Sequence, residues 1–236
     1  MANEKAARDM KRVLFGSHEV EVDDEACRLE LWREEPRHPE TLEFLYKQLS
    51  GMDSPVFLDI GAGQGRYTLL ATLIPDMKVF CWEPNPTVFG YLESNVRLNG
   101  LESRVTPFNC GLWKKSGRMT LHVPLLPWRF RSATMGDHPH KHGWKSVEVL
   151  VERLDSFQVY FEKVSLIKLD VEGAEWMVLR GGRKTIKRWM PPIWMESVDS
   201  HAKMFGYKKE DPIEHLKTWG YRNFELHPPH DVWITR

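Results

Sequence analysis

The sequence is poor in cysteine, has no long hydrophobic run and carries no surplus of either charge. Its three cysteines, Cys27, Cys81 and Cys110, are widely spaced and include no CxxC pair. That argues against a disulfide framework or a structural zinc site, and it fits a reducing compartment. No stretch approaches the roughly 20 apolar residues of a membrane-spanning helix. The opening residues, MANEKAARDMKRVLFG, are charged throughout and lack the apolar centre of a signal peptide, so a cytoplasmic location is expected. Lys+Arg and Asp+Glu both number 33, so the formal net charge is zero and nothing points to nucleic acid as a partner. There is no internal repeat and no low-complexity segment. What remains is an ordinary globular composition, 236 residues with 42% hydrophobic, enough for one large domain or one with a short extension.

Along the chain, residues 1–50 read as a helical N-terminal extension. Its clearest part is Thr41 to Leu49, where Leu42, Leu45, Tyr46 and Leu49 recur at spacings of three and four. From residue 51 to 236 short apolar runs alternate with helical patterns. Strands are expected at Val56–Ile60, Val79–Trp82, Arg104–Asn109, Val164–Asp170 and Ile193–Glu196. Helices are expected at Arg66–Ile74, Thr87–Leu98, Ala174–Met190 and Pro212–Trp219, with a closing hairpin from Tyr221–Leu226 and Val232–Thr235. Such alternation implies an α/β fold with a mostly parallel sheet and helices on both faces. Ligands in these sheets bind at the carboxyl ends of the strands. Residues 112–146 interrupt the alternation with prolines, aromatics and His138, His140 and His142, and are expected to form an irregular lid or acceptor insertion. The alternating histidines lack an identifiable fourth ligand and read as solvated.

Asp59-Ile60-Gly61-Ala62-Gly63-Gln64-Gly65 closes the first strand and opens the first helix. Glycines there allow a tight turn and close approach to a ligand. A dinucleotide fingerprint would need glycine at position 66, which is Arg66. The G-x-G-x-G spacing instead resembles motif I of S-adenosylmethionine-dependent methyltransferases, whose loop wraps the methionine part of the cofactor. Glu83, at the end of the second strand, can accept both ribose hydroxyls of an adenosine. Pro84-Asn85 turns the chain into the next helix. Asn109-Cys110-Gly111 follows the third strand, where this class places adenine contacts; Cys110 is equally readable as a small core residue.

Val151-Glu152-Arg153-Leu154-Asp155, then Ile167-Lys168-Leu169-Asp170-Val171-Glu172-Gly173-Ala174-Glu175 and Val178-Leu179-Arg180-Gly181, resemble the FkbM family of methyltransferases. Pro192-Ile193-Trp194-Met195-Glu196 and His215 to Tyr221 match the family's later segments, so the resemblance spans roughly residues 54–226. It implies a Rossmann-like class I methyltransferase fold, with a seven-stranded, mostly parallel sheet ending in a C-terminal antiparallel hairpin. It also implies S-adenosylmethionine as cofactor and methyl transfer to a hydroxyl, often of a sugar or natural product. The base methyltransferases' Pro-Pro-aromatic motif is replaced here by Asp170-Val171-Glu172-Gly173, which excludes that rival.

Removing a proton from an alcohol needs a base or a metal. Asp170 is therefore expected at the cofactor amine or a metal, Glu172 at a helix cap or the acceptor, and Glu196 across the cleft. His201 is the alternative base, and Asp170 with Glu196 is the candidate Mg²⁺ site. The insertion carries seven basic residues (Lys114, Lys115, Arg118, Arg129, Arg131, Lys141, Lys145) against the single acid Asp137, so the rest of this neutral chain is acidic. Trp128, Arg129, Arg131 and Ser132 are the expected acceptor contacts, since tryptophan and arginine suit sugar rings and anionic groups. A glycan or small-molecule acceptor is favoured. The alternatives are a nucleotide- or lipid-linked acceptor, and a methyltransferase fold that binds without turnover.

Overall fold

The computed structural model describes residues 10–15, 18–23, 39–126, 132–136 and 143–236. The N-terminal region departs from the helical expectation. Strands β1 (Met10–Phe15) and β2 (His18–Asp23) form an antiparallel hairpin, and among the described residues of this region the helical segment is α1 (Pro39–Ser50). The HEVEVD alternation of β2 has a period of two, which suits a half-buried strand. Val20 and Val22 are buried in the main core, and Asn99 clamps Glu21, its Oδ1 accepting from Glu21 N (3.0 Å) and its Nδ2 donating to Glu21 O (2.6 Å). In α1, Leu42, Leu45 and Leu49 face the core as their spacing predicts.

Among the described residues, twelve strands fall into three sheets. The central one holds β3 (Val56–Ile60), β4 (Lys78–Trp82), β5 (Val105–Phe108), β9 (Leu166–Leu169), β10 (Ile193–Glu196), β11 (Asn223–His227) and β12 (Asp231–Thr235), in the order β11-β12-β10-β9-β3-β4-β5. Strands β3, β4, β5, β9 and β10 run parallel and β12 runs antiparallel to both β10 and β11, as expected. All five residues of β3 are buried, because helices cover both faces of a parallel sheet. Alternate residues serve different layers. Phe57, Val79 and Leu166 pack with α1, the 3-10 turn Thr68–Thr72 and α2 (Pro86–Leu98). Leu58, Phe80 and Ile167 pack with α3 (Glu175–Gly181), α4 (Arg183–Trp189) and α6 (Asp211–Trp219).

Chain order runs outward from β3 to β5 and then returns to β9 on the other side of β3. The crevice where α/β sheets bind ligands therefore opens between the ends of β3 and β9. Two helices differ from expectation. The Arg66–Ile74 segment is a 3-10 turn, with Leu70 N bonded to Tyr67 O and Leu73 N to Leu70 O, because few residues separate the glycine loop from Pro75. Ala174–Met190 divides at Gly182, where an added Cβ would lie 2.8 Å from Leu154 Cδ2. A short helix unanticipated from sequence, α5 (Asp199–Met204), follows β10.

The insertion is far more regular than expected. Gly111–Leu112 (β6), Gly117–Pro124 (β7) and Trp144–Glu152 (β8) make a separate three-stranded sheet, with β7 and β8 paired over eight residues from Gly117↔Val151 to Pro124↔Trp144. Leu121, Val123 and Val149 form its own small core. Among the described residues no helix is long and apolar enough to cross a membrane.

Candidate active site

A cavity of about 490 Å³ opens at the carboxyl ends of the central strands. The glycine loop forms its floor. Gly61 N and Ala62 N both donate to Trp82 O (3.1 and 3.0 Å), fastening the loop to the neighbouring strand β4. Gly61 has φ +77°, and a Cβ there would lie 1.8 Å from Asp170 O, so only glycine lets the loops after β3 and β9 meet. Gly63 (φ +58°) has nothing within 4 Å of an added Cβ and lines the cavity, which leaves room for a ligand.

On the β4 side stands Glu83. Its Oε2 accepts from Gly63 N (3.0 Å) and its Oε1 from Asn85 N (2.8 Å), and burial pushes its carboxyl up to about 7. Pro84, Cys110 and Gly111 line the same end. Trp82 lines it too; its indole N–H and the buried Asn85 Nδ2 have no hydrogen-bond partner among the described residues. Buried donors normally find acceptors. An adenosine, rich in acceptors, fits a site with an unmet indole donor, a paired carboxylate and an open glycine.

Four expected cofactor residues do not line the cavity. Asp59 is fully buried beneath the loop, accepting from Thr68 Oγ1 (2.7 Å) and facing Lys168 Nζ (3.4 Å). Gly65 (φ +97°) packs against Leu92, Asn85 caps α2 by accepting from Thr87 N (3.1 Å), and Asn109 Nδ2 donates to Glu83 O (2.9 Å). Each supports the wall rather than forming it. For Asp59 the reason is the pleat, which turns its side chain to the covered face of β3.

On the β9 side, Asp170, Glu172 and Glu196 line the cavity. Glu172 holds φ +53°, a left-handed backbone uncommon for a residue with a side chain. The turn is built around it. Glu175 Oε1 accepts from Val171 N (3.0 Å) and Gly173 N (3.2 Å), and Tyr207 Oη donates to Gly173 O (2.7 Å). Thr134 Oγ1, from the insertion, donates to Glu172 O (3.1 Å), so this hydroxyl secures the turn. Gly173 approaches α5 so closely that a Cβ would lie 2.6 Å from His201 O.

That approach brings His201 between two carboxylates, with Nδ1 3.2 Å from Glu196 Oε2 and Nε2 3.6 Å from Glu172 Oε2. The Glu196 hydrogen bond, with Glu172 adding, pushes the imidazole up to about 9 against burial. Burial, then the charges of Asp170 and Glu196, push Glu172 well above the usual carboxylate range, and burial and Asp170 raise Glu196. Burial and Glu196 lift Glu175 to about 7.

The expected Mg²⁺ pair does not fit. Asp170 Oδ2 already faces the Lys168 ammonium at 3.6 Å, and a dication there would meet a fixed positive charge. Glu172, Glu196 and His201 do bring ligand atoms within 4.8 Å of one another. A doubly protonated His201 satisfies both carboxylates without an ion.

The insertion contributes Leu112, Leu121, Ser132, Ala133 and Met135 to the cavity wall. Trp128, Arg129, Arg131 and the alternating histidines lie outside the described residues.

The model of the methyltransferase FkbM domain matches residues 59–235, three quarters of the chain. The chain belongs to the FkbM methyltransferase family. Among curated relatives it is similar to methyltransferase sdnD of Sordaria araneosa, 27% identical over 176 residues that cover 59% of this chain and 68% of that one. It is also similar to the 2-O-methyltransferase NoeI of Sinorhizobium fredii, 26% identical, covering 68% and 72% of the two chains. Among solved structures, an FkbM methyltransferase from Methylobacillus flagellatus aligns with TM-score 0.53 at 18% identity, over 80% of this chain and 47% of that one. A structure described as a caffeoyl-CoA O-methyltransferase from Staphylococcus aureus aligns with TM-score 0.54 at 14% identity, over 90% of both. These likenesses establish the class I methyltransferase fold. Family membership thus gives the chain its reaction class, methyl transfer.

Proposed function

We propose that this FkbM methyltransferase acts in the cytoplasm and transfers a methyl group from S-adenosylmethionine to a hydroxyl, that of a sugar in a glycan or glycosylated natural product. The observation that carries this reading is the two-sided cavity, with an adenosine-suited wall at Glu83 and a proton-accepting group at Glu172, Glu196 and His201. NoeI, named as a 2-O-methyltransferase, supports oxygen as the acceptor atom. Cys81 and Cys110, free and buried, suit a reducing compartment.

The cofactor supplies an electrophilic methyl. Glu83 would receive the ribose hydroxyls, and Gly61, Ala62 and Gly63 would hold the methionine part. The protein aligns the acceptor oxygen with the methyl and removes its proton. At neutral pH, His201 is already protonated, so the proton goes to Glu172 Oε rather than to the imidazole. His201 then serves as a fixed positive charge between two carboxylates, and Ser132 meets the acceptor.

Stabilisation in a thermal shift by S-adenosylhomocysteine and not by NAD is the first test; stabilisation by NAD alone overturns the cofactor reading. Glu83→Ala is expected to weaken S-adenosylhomocysteine binding about 10- to 100-fold by calorimetry, the loss of charged hydrogen bonds. Labelled methyl incorporation into a glycan panel then tests the acceptor. Chelation and desalting are expected to leave that transfer unchanged; activity lost and restored by Mg²⁺ would reinstate the ion.

A further inference from the structure

Lys168 is an unusual residue for the centre of a buried parallel sheet. It stands opposite Asp59 on β3 and Trp194 on β10, and its side chain is 3% exposed. An isolated ammonium is expensive to bury, and an apolar residue would pack a strand centre at lower cost. The cation's role therefore lies in what it holds. Nζ donates to Gly61 O (2.7 Å), faces Asp59 Oδ1 (3.4 Å) and Asp170 Oδ2 (3.6 Å), and sits 5.1 Å over the Tyr67 ring. Asp59 is itself fixed by Thr68, so the ammonium is anchored from below and aimed upward. Its two upper partners belong to different loops, one after β3 and one after β9, and both Gly61 and Asp170 line the cavity. At the base of the same two loops Asp170 N donates to Ile60 O (3.1 Å). Although burial opposes it, the charges of Asp170 and Asp59 keep Lys168 above its ordinary range, so the bridge stays charged.

We propose that Lys168 is a positioning residue for the amino-acid end of the cofactor: anchored on Asp59, it sets the separation and orientation of the Gly61 carbonyl and the Asp170 carboxylate. This rests on the cavity being the S-adenosylmethionine site. The glycine loop is also tied to β4 through Gly61 N, Ala62 N and Gly63 N, independently of Lys168. The adenosine end should therefore not depend on Lys168.

The test compares two ligands by calorimetry, S-adenosylhomocysteine and 5′-methylthioadenosine, which lacks the amino and carboxyl groups. Lys168→Met alone leaves Asp59 buried without its cation and is prone to misfold. The double variant D59N/K168M removes the pair together and is the one read, with its melting temperature recorded. About a tenfold or greater loss of S-adenosylhomocysteine affinity is expected, with 5′-methylthioadenosine binding as in the unmodified protein. Equal losses on both ligands would mean a purely structural role and overturn the proposal, as would no loss on either. If the unmodified protein binds neither, it is the cofactor reading that fails.

Discussion

Gly61→Ala is expected to abolish cofactor binding and to lower folding stability by about 3 kcal/mol or more, in the range reserved for strained backbone and core clashes. Two costs combine. An L-residue at φ +77° pays roughly 1–2 kcal/mol for the left-handed conformation. The added Cβ would also sit 1.8 Å from Asp170 O, a backbone atom that cannot move without shifting the end of β9. Gly63→Ala supplies the control. Its backbone is also left-handed, but nothing lies within 4 Å of the new Cβ. It should therefore cost the fold only about 1–2 kcal/mol, while the methyl intrudes on the cofactor's place. Urea denaturation separates the two, and equal stability of both variants would contradict the packing argument. The two glycines thus do different work: Gly61 lets two strand-end loops touch, and Gly63 leaves space above them.

That difference also marks the limit of what sequence could reveal. The run Val56–Ile60 coincides with β3, since an uninterrupted apolar segment before a glycine turn has few other solutions. Glu83 and Asp170 were legible because strand ends in parallel sheets are where ligands bind. The β7–β8 pair was hidden. Met119, Leu121 and Val123 alternate with polar residues as a half-buried strand requires, but Pro124, the histidines and the arginines nearby read as loop. Lys168 was missed for a related reason. A lysine inside a strand usually marks an exposed edge, and only the Asp59↔Lys168 register shows it as half of a buried pair. Thr134 and Tyr207 act on the Glu172 turn from 38 and 34 residues away, a partnership that local pattern cannot show. The Asp-x-Glu-Gly-x-Glu segment is a set of physical demands. Glu172 needs its left-handed turn, Gly173 the approach to His201 O, and Glu175 the two backbone donors.

Those demands converge on the proton, and Glu172→Gln should lower the rate of methyl transfer by about 10²- to 10⁴-fold, the usual worth of a positioned base. The pH profile tests the assignment more sharply than the loss itself. A base must be ionised, so activity should rise with pH through the Glu172 transition, which burial, Asp170 and Glu196 place well above the ordinary 4.5. At the other limit His201, raised to about 9, is charged at neutral pH and loses its proton above that value. Its pairing with Glu196 and Glu172 is then lost, and the rate should fall. Removing the charge of Glu196 by Glu196→Gln deletes the largest cause of the His201 shift, so the alkaline limb should move down toward 6.5. The same change removes a like charge from beside Glu172, so the acidic limb should move down as well. Both limbs moving together, in one variant that leaves Glu172 in place, is the signature of the three-group arrangement. If the imidazole were the base, activity would instead rise through its own transition near 9, and Glu172→Gln would leave that limb standing.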